Sequence, residues 1–212
     1  MMRTGILLLL SIMVFSAQAA PVSEALKEDK SHVQVWNGFA NSILKLHGEL
    51  NVKQSLRKEV ASGGYAHDPD FFIEESFYNK ENGKLVSRIC WERDNPDQLH
   101  TIEVNVLDKQ GRVVRDYSAA YLPDYRNAPV QTLVNLHYYN GDLHSFRQYD
   151  AGGDLIYESC EGTYQGKEGQ IRLDEDDIFG TADDENQTTT TAAYKACFNG
   201  HSKRAGVYIN PQ

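Results

Sequence analysis

Basic residues are scarce in this chain of 212 residues, which has 21 lysines and arginines against 30 aspartates and glutamates. Nucleic acids and anionic membrane surfaces are bound by clustered Lys and Arg side chains. The basic residues here are scattered among a larger number of carboxylates. The composition therefore argues against both, and we expect the partner to be a protein or a small ligand.

Long apolar runs are also missing, apart from one at the start of the chain. Arg3, the apolar run Ile6–Phe15 and the small-residue sequence Ala17-Gln18-Ala19 have the order typical of a cleavable export signal. The run is shorter than the roughly twenty residues that cross a bilayer as a helix. We predict a signal peptide over residues 1–19 and a periplasmic or secreted protein without a membrane span. Loss of Arg3 leaves 20 basic and 30 acidic residues, a net charge of −10.

Cysteine is limited to Cys90, Cys160 and Cys197. The CxxC spacing of zinc–thiolate and haem sites is absent, and an oxidising compartment favours one disulfide and one free thiol. Cys160 ends the last clear strand, and Cys197 lies where apolar residues return near the end of the chain. We therefore predict a Cys160–Cys197 disulfide, with Cys90 reduced and buried inside a strand.

Enzyme signatures are missing as well, because the sequence contains no GxSxG, HExxH, GxGxxG or GxxxxGK motif. Catalytic groups also assemble from residues far apart in sequence, so this absence lowers the expectation of catalysis without excluding it. We predict a protein that is not an enzyme and that has no cofactor, except for a divalent metal under one hypothesis given below.

A helix is predicted from Ser31 onward, where apolar residues recur three and four apart. Ser31 followed by Gln34 resembles a capping box, and Gly48 is a plausible stop. The next segment, Leu50–Val60, fits both a strand and a helix, and we favour a strand. The apolar stripe consists of Trp36, Phe39, Ala40, Ile43, Leu46 and Leu50.

Strands are predicted over most of the remaining chain, in runs rich in β-branched and aromatic residues and bounded by Asn, Asp and Gly turns. Short turns join antiparallel neighbours, because parallel strands need a long crossover. The predicted fold class is α+β, with an N-terminal helix packed on an antiparallel β-meander of about seven strands. The runs are Phe71–Tyr78, Leu85–Glu92, Thr101–Leu107, Val113–Tyr121, Gln131–Tyr139, Leu143–Tyr149 and Leu155–Cys160.

The composition changes after this region and divides the mature chain into three parts. Residues 20–160 form the predicted α+β domain, and residues 161–191 are acidic, rich in Gly and Thr and interpreted as a flexible loop. Asp174–Asp177 in that loop offers oxygen ligands for Ca²⁺ but departs from the EF-hand pattern, so we favour a solvated acidic run. Residues 192–212 regain aromatic side chains and are expected to dock on the domain.

Two turns share an aromatic residue, Asn or Asp, a short gap, Gly and Leu, in Tyr138-Tyr139-Asn140-Gly141-Asp142-Leu143 and in Tyr149–Leu155. This pattern resembles the hairpin units of variant MORN and YD-type repeat proteins. The resemblance implies antiparallel hairpins of the kind found in exported proteins. No catalytic residue is carried over with it.

Tyrosine, in contrast, is abundant, with 12 residues. Tyrosines on a sheet favour binding surfaces because they combine area with a polar tip, although they are also good strand formers. Loops on a rigid sheet commonly carry recognition. Our candidate binding residues are Tyr125 and Arg126 in the loop Pro123–Pro129, and Tyr139 on a strand.

Two histidines form a candidate metal site. If Asn140-Gly141 is a two-residue type I′ turn, His137 faces His144 across the hairpin, with Cβ atoms about 5 Å apart. Two such imidazoles can share a divalent metal, with Asp142 as a diagonal neighbour. The alternative is a pair of solvent-side histidines without a ligand, in which mutual repulsion lowers one pKa.

The leading hypothesis from these observations is an exported, non-enzymatic binding or accessory domain of the cell envelope or secretome. It would recognise a protein or a small ligand through its tyrosine-rich sheet and the loop 123–129. One alternative is an envelope hydrolase with an active site assembled from dispersed residues. The other is a metal-binding protein that uses His137 and His144.

Overall fold

The computed structural model describes residues 29–174 and 187–212. The predicted signal peptide and most of the acidic run lie outside these residues, so their interpretation stays a prediction. Within the described residues, no helix combines the length and the apolar character needed to cross a membrane.

Nine strands form one sheet in the order of the sequence, and every neighbouring pair is antiparallel. Helix α1 (Lys30–Lys53) precedes the sheet and helix α2 (Ala192–Phe198) follows it. The predicted α+β meander is confirmed, with two strands more than expected. The strands are β1 (Leu56–Tyr65), β2 (Asp68–Asn79), β3 (Leu85–Glu92), β4 (Leu99–Leu107), β5 (Val113–Ala120), β6 (Gln131–Asn140), β7 (Leu143–Tyr149), β8 (Leu155–Tyr164) and β9 (Lys167–Asp174).

Helix α1 begins and ends elsewhere than predicted. Its N-cap is Asp29, whose carboxylate accepts hydrogen bonds from the backbone N–H groups of Ser31 at 2.8 Å and His32 at 3.1 Å. The helix also continues through Gly48 to Lys53. A glycine inside a helix costs about 1 kcal/mol, which the packing of the apolar stripe outweighs. That stripe faces the core as predicted, with Phe39, Ala40, Ile43 and Leu46 buried.

The two additional strands lie at the edges of the sheet. Edge strand β1 occupies the second half of the ambiguous segment Leu50–Val60, while its first residues belong to α1. The prediction of a flexible loop is wrong for residues 161–174, which form the end of β8 and all of β9. Gln165 and Gly166 both have positive φ, at 51° and 74°, and close a tight hairpin turn between these strands.

Both helices pack on the same face of the sheet. Ile43 of α1 is fully buried and belongs to a core cluster with residues of β2–β7. Helix α2 packs on β7 and β8 and is joined to β8 by the Cys160–Cys197 disulfide. The predicted disulfide is therefore confirmed, and Cys90 is free and buried, as expected. A row of register partners marks this face across β2–β7, namely Phe77, Ser87, Val104, Tyr117, Val134 and Tyr149.

Candidate functional site

The sheet face opposite the two helices carries polar and aromatic side chains on its central strands. Successive residues of a strand point to opposite faces, so β5–β8 supply the core on one side and this second surface on the other. We call this surface the polar face. Its members are Asp116, Asn135, His137, Tyr139, His144, Phe146, Gln148, Tyr157 and Glu161.

A chain of hydrogen-bonding side chains crosses four strands of the polar face. His137 Nε2 lies 2.8 Å from Asp116 Oδ2, and His137 Nδ1 lies 2.9 Å from His144 Nε2. His144 Nδ1 lies 3.4 Å from Glu161 Oε1. The two imidazole rings are almost parallel, with centroids 5.2 Å apart. The arrangement is an Asp–His–His–Glu chain.

Two amides extend this chain on the side of Asp116. Asn135 donates from Nδ2 to Asp116 Oδ1 at 2.6 Å, and Gln148 donates from Nε2 to Asn135 Oδ1 at 3.1 Å. Asp116 and Asn135 are register partners on β5 and β6, and Gln148 follows on β7. The carboxylate of Asp116 is therefore held by hydrogen bonds from two residues, Asn135 and His137.

The hydrogen bonds determine where protons lie in the neutral pair. An ionised carboxylate only accepts, so His137 donates its Nε2–H to Asp116 and uses Nδ1 to accept from His144 Nε2–H. His144 Nδ1 then carries no proton for Glu161. Uptake of one proton at this atom completes a chain of hydrogen bonds between two carboxylates.

The pKa of His144 is lowered, but mainly by burial rather than by the repulsion predicted for the histidine pair. The largest cause is burial of the ring, and the charge of His137 lowers the pKa further. The hydrogen bond with Glu161 acts in the opposite direction. Burial thus favours the neutral form of His144.

The register predicted for this hairpin is wrong. The two-residue loop is Gly141-Asp142 rather than Asn140-Gly141, and only its glycine has a positive φ, at 58°. This pattern, with Gly at the first loop position, is that of a type II′ turn. Tyr139 therefore pairs with His144, and His137 becomes the diagonal neighbour of His144. The rings still meet because diagonal side chains lie within reach of each other.

The structure contains only part of the metal site that the sequence predicted. The two predicted ligands, His137 and His144, are adjacent, but among the described residues no three His, Cys, Asp or Glu side chains are grouped to hold a metal ion. Asp142 lies in the turn and lines a surface cleft together with His144 and Glu161. Both ring nitrogens of His137 already have hydrogen-bond partners. Metal binding at this pair stays a prediction, and it requires at least one of these bonds to break.

The aromatic ring of Tyr139 is held in place beside His144 by three contacts. Its ring stacks on His144, with centroids 4.7 Å apart, and the guanidinium carbon of Arg112 lies 4.3 Å from the Tyr139 centroid. Its hydroxyl donates to the carbonyl oxygen of Val113 at 3.0 Å. Tyr139 therefore contributes a rigid aromatic surface to the polar face.

The other two predicted binding residues, Tyr125 and Arg126, lie at the opposite end of the strands, in the connection between β5 and β6. Tyr125 donates its backbone N–H to Leu122 at 2.9 Å. Tyr139 lies eight residue steps along β6 from Gln131, which at 3.3 Å per residue is about 26 Å. The three predicted residues therefore do not form one site.

Arg126 already has a partner within the protein. Its Nε and Nη2 bind the two carboxylate oxygens of Glu92 at 2.8 Å and 2.7 Å. The side chain of Glu92 is only 3% exposed, so Arg126 neutralises a buried carboxylate. A contact of Arg126 with an external partner stays a prediction.

Sequence reasoning missed Asp116 and Glu161. Each lies on a different strand from the histidines, and only the register across β5–β8 brings the four side chains together. The available signal was their position on the solvent-side alternation of their strands. That signal identifies the face but not the neighbours.

Comparison with known proteins adds no further assignment. No protein-family model, curated protein or solved structure matches this chain. The class of the protein is therefore defined by its fold, an α+β protein built on a nine-stranded antiparallel meander. The resemblance to variant MORN and YD-type hairpins stays a prediction.

Proposed function

We propose that this chain is an exported, non-enzymatic binding or accessory domain whose polar face recognises a protein or a small ligand. The observation that carries the proposal is the Asp–His–His–Glu chain. The side chains of Asp116 and His137 are 16% and 14% exposed, whereas that of Glu161 is 61% exposed. The Asp–His–His–Glu chain thus runs from the nearly buried Asp116 to the exposed Glu161. Groups held in place before binding lose less conformational freedom when a partner arrives.

Aromatic residues between the polar groups support the same proposal. The ring of Phe146 lies 5.0 Å from His137 and 6.0 Å from Tyr157, measured between centroids. Tyr139 provides the third aromatic side chain. Aromatic area next to hydrogen-bonding groups is typical of the centres of binding interfaces.

The hydrogen bonds of the histidines favour binding over nucleophilic catalysis. His137 and His144 bond to each other and to carboxylates. A hydrolytic dyad or triad places a hydroxyl or thiol next to the histidine. The alternative of an envelope hydrolase therefore gains no support from this arrangement.

A capture experiment with matched variants tests the proposal. The biotinylated mature domain, starting at Ala20, is incubated with the exported fraction of the cells that make it. The variant His144→Ala alters the polar face, and Lys45→Ala alters an exposed position of α1 on the other side of the sheet. We expect wild type and Lys45→Ala to retain the same partner, and His144→Ala to retain about tenfold less. Equal retention by both variants contradicts a role for the polar face.

A further inference from the structure

The helix-covered side of the sheet contains two different kinds of interface. Under α1 the contact is apolar, with Ile43 in one cluster with Val104 and Val134. Under residues 192–202 the sheet instead presents Arg147 and Glu158, which are 0% and 2% exposed. We call residues 192–202, which comprise α2 and the turn after it, the clasp.

The clasp docks through this ion pair and through a small apolar cluster, in which Tyr194 and Phe198 pack with residues of β7–β9. Arg147 donates from Nε to Glu158 Oε1 at 2.6 Å and from Nη1 to the carbonyl oxygen of His201 at 2.6 Å. Tyr194 donates its hydroxyl to Glu158 Oε2 at 2.7 Å. The guanidinium carbon lies 4.7 Å from the ring centroid of Phe198. These polar and ionic contacts lie beside the small apolar cluster under α2.

The ionic part of this interface contributes little net stability. The cost of removing two charges from water offsets most of their attraction. Within the described residues, Arg147 Nη2 and His201 Nε2 are buried without a hydrogen-bond partner, which adds a further cost. Helix α2 has only seven residues, too few to be stable alone. With little gain from the ion pair, non-covalent docking of the clasp depends on the aromatic side chains of Tyr194 and Phe198, set against about 1 kcal/mol or more of backbone entropy for each ordered residue.

The Cys160–Cys197 disulfide supplies the stability that the non-covalent contacts of the clasp do not provide. It joins the clasp to β8 across a sequence separation of 37 residues. With the sheet folded, Cys197 lies 23 residues beyond the end of β9, and in the chain-entropy model a cross-link over that length shifts an opening equilibrium by roughly 300-fold. Both half-cystines are buried, at 1% and 4% exposure. The docked clasp therefore also shields the disulfide from solvent.

We propose that oxidation gates the clasp: it is undocked in the dithiol form, while α1 and the sheet are folded, and it closes when Cys160 and Cys197 are oxidised. The oxidant is a disulfide-bearing thiol–disulfide exchanger. Its S–S bond breaks and takes up two electrons and two protons, while the new S–S bond forms between the two cysteines. A chain made in a reducing compartment and exported to an oxidising one meets this oxidant only after export. The gate lies on the side of the sheet opposite the polar face, so it does not depend on the ligand proposed there.

Hydrogen exchange tests the gate by two independent routes. Amide protection is compared among the oxidised protein, the same protein reduced with excess dithiothreitol, and the variant C160S/C197S. We expect amides of residues 192–202 to lose about 300-fold protection in both reduced forms. Amides of α1 and β2–β6 should keep theirs. Unchanged protection of the clasp, or equal loss throughout the domain, would overturn the proposal.

A second comparison tests why the clasp docks weakly. Arg147→Met and Glu158→Met replace the ion pair by apolar side chains of similar length, in the C160S/C197S background. If the ionic interface limits docking, this variant should recover at least about tenfold of the lost protection. No recovery, in a variant with a native far-UV spectrum and cooperative melting, shows that the ionic contact is not the cause of weak docking.

Discussion

His201 should make the protein sensitive to acid. Burial of its ring, followed by the charges of Arg147, His137 and His144, lowers the pKa of His201 to about 3. The pKa of histidine in an unfolded chain is about 6.5. The unfolded state therefore binds the proton first as the pH falls. The contribution of His201 is fully present above pH 6.5 and is lost as the pH falls towards 3.

The size of this effect follows from linkage. Between pH 7 and pH 4.5, a histidine with an unfolded pKa of about 6.5 and a folded pKa well below 4.5 costs about 2.5 kcal/mol of unfolding free energy. Burial also lowers the pKa of His47 and His100. Both histidines are present in the wild type and in a His201 variant, so their effect on the unfolding free energy cancels when the two proteins are compared.

The assay is urea denaturation of the oxidised wild type and of His201→Asn at pH 7 and pH 4.5. The asparagine amide retains a polar group near Ser145 Oγ, which lies 2.9 Å from His201 Nδ1 in the wild type. We expect the wild type to lose about 2–3 kcal/mol more than the variant between the two pH values. Equal losses would refute the reasoning and show that His201 is solvated in the folded protein.

Three further predictions concern the fold and its export. Ile43→Ala removes a fully buried side chain and should lower the unfolding free energy by about 2–5 kcal/mol, whereas Val52→Ala, at an 88% exposed position, should change it by under about 0.5 kcal/mol. Gly162 has φ of 129° and a Cβ there would lie 1.9 Å from a backbone oxygen, so Gly162→Ala should lower the melting temperature; Gly38→Ala, in open space, should stabilise by about 0.5–1 kcal/mol. Intact mass should place the exported N-terminus at Ala20, and retention of residues 1–19 would contradict export.

Local sequence signals predicted the architecture well where burial is one-sided. The period of α1 and the turns between β2 and β8 identified one helix and an antiparallel meander, because apolar periodicity and turn residues act over a few positions. The segment 161–174 was missed because it has few large apolar residues. Ile171 and Leu173 nevertheless pack in the cluster beneath α2, and a tight Gln165-Gly166 turn pairs β9 with β8.

The candidate site was harder to predict from the sequence, because it depends on the register between neighbouring strands. His137 and His144 were predicted to face each other directly; they instead meet as diagonal neighbours, because the turn that placed them is shifted by one residue. Asp116 and Glu161 lie 21 and 17 residues from their histidine partners. A shift of one residue in any strand would move these side chains to the other face. Turn chemistry alone therefore does not reveal such a network.

The most direct test of the account is nuclear magnetic resonance mapping of the captured partner on the labelled mature domain. Backbone and imidazole signals are compared with and without the partner. The account predicts that shift changes concentrate at Tyr139, His144 and Phe146 on the polar face, and that the His137 and His144 ring signals change together through their shared hydrogen bond. Changes confined to α1 or to the clasp, with both imidazole rings unaffected, would contradict it.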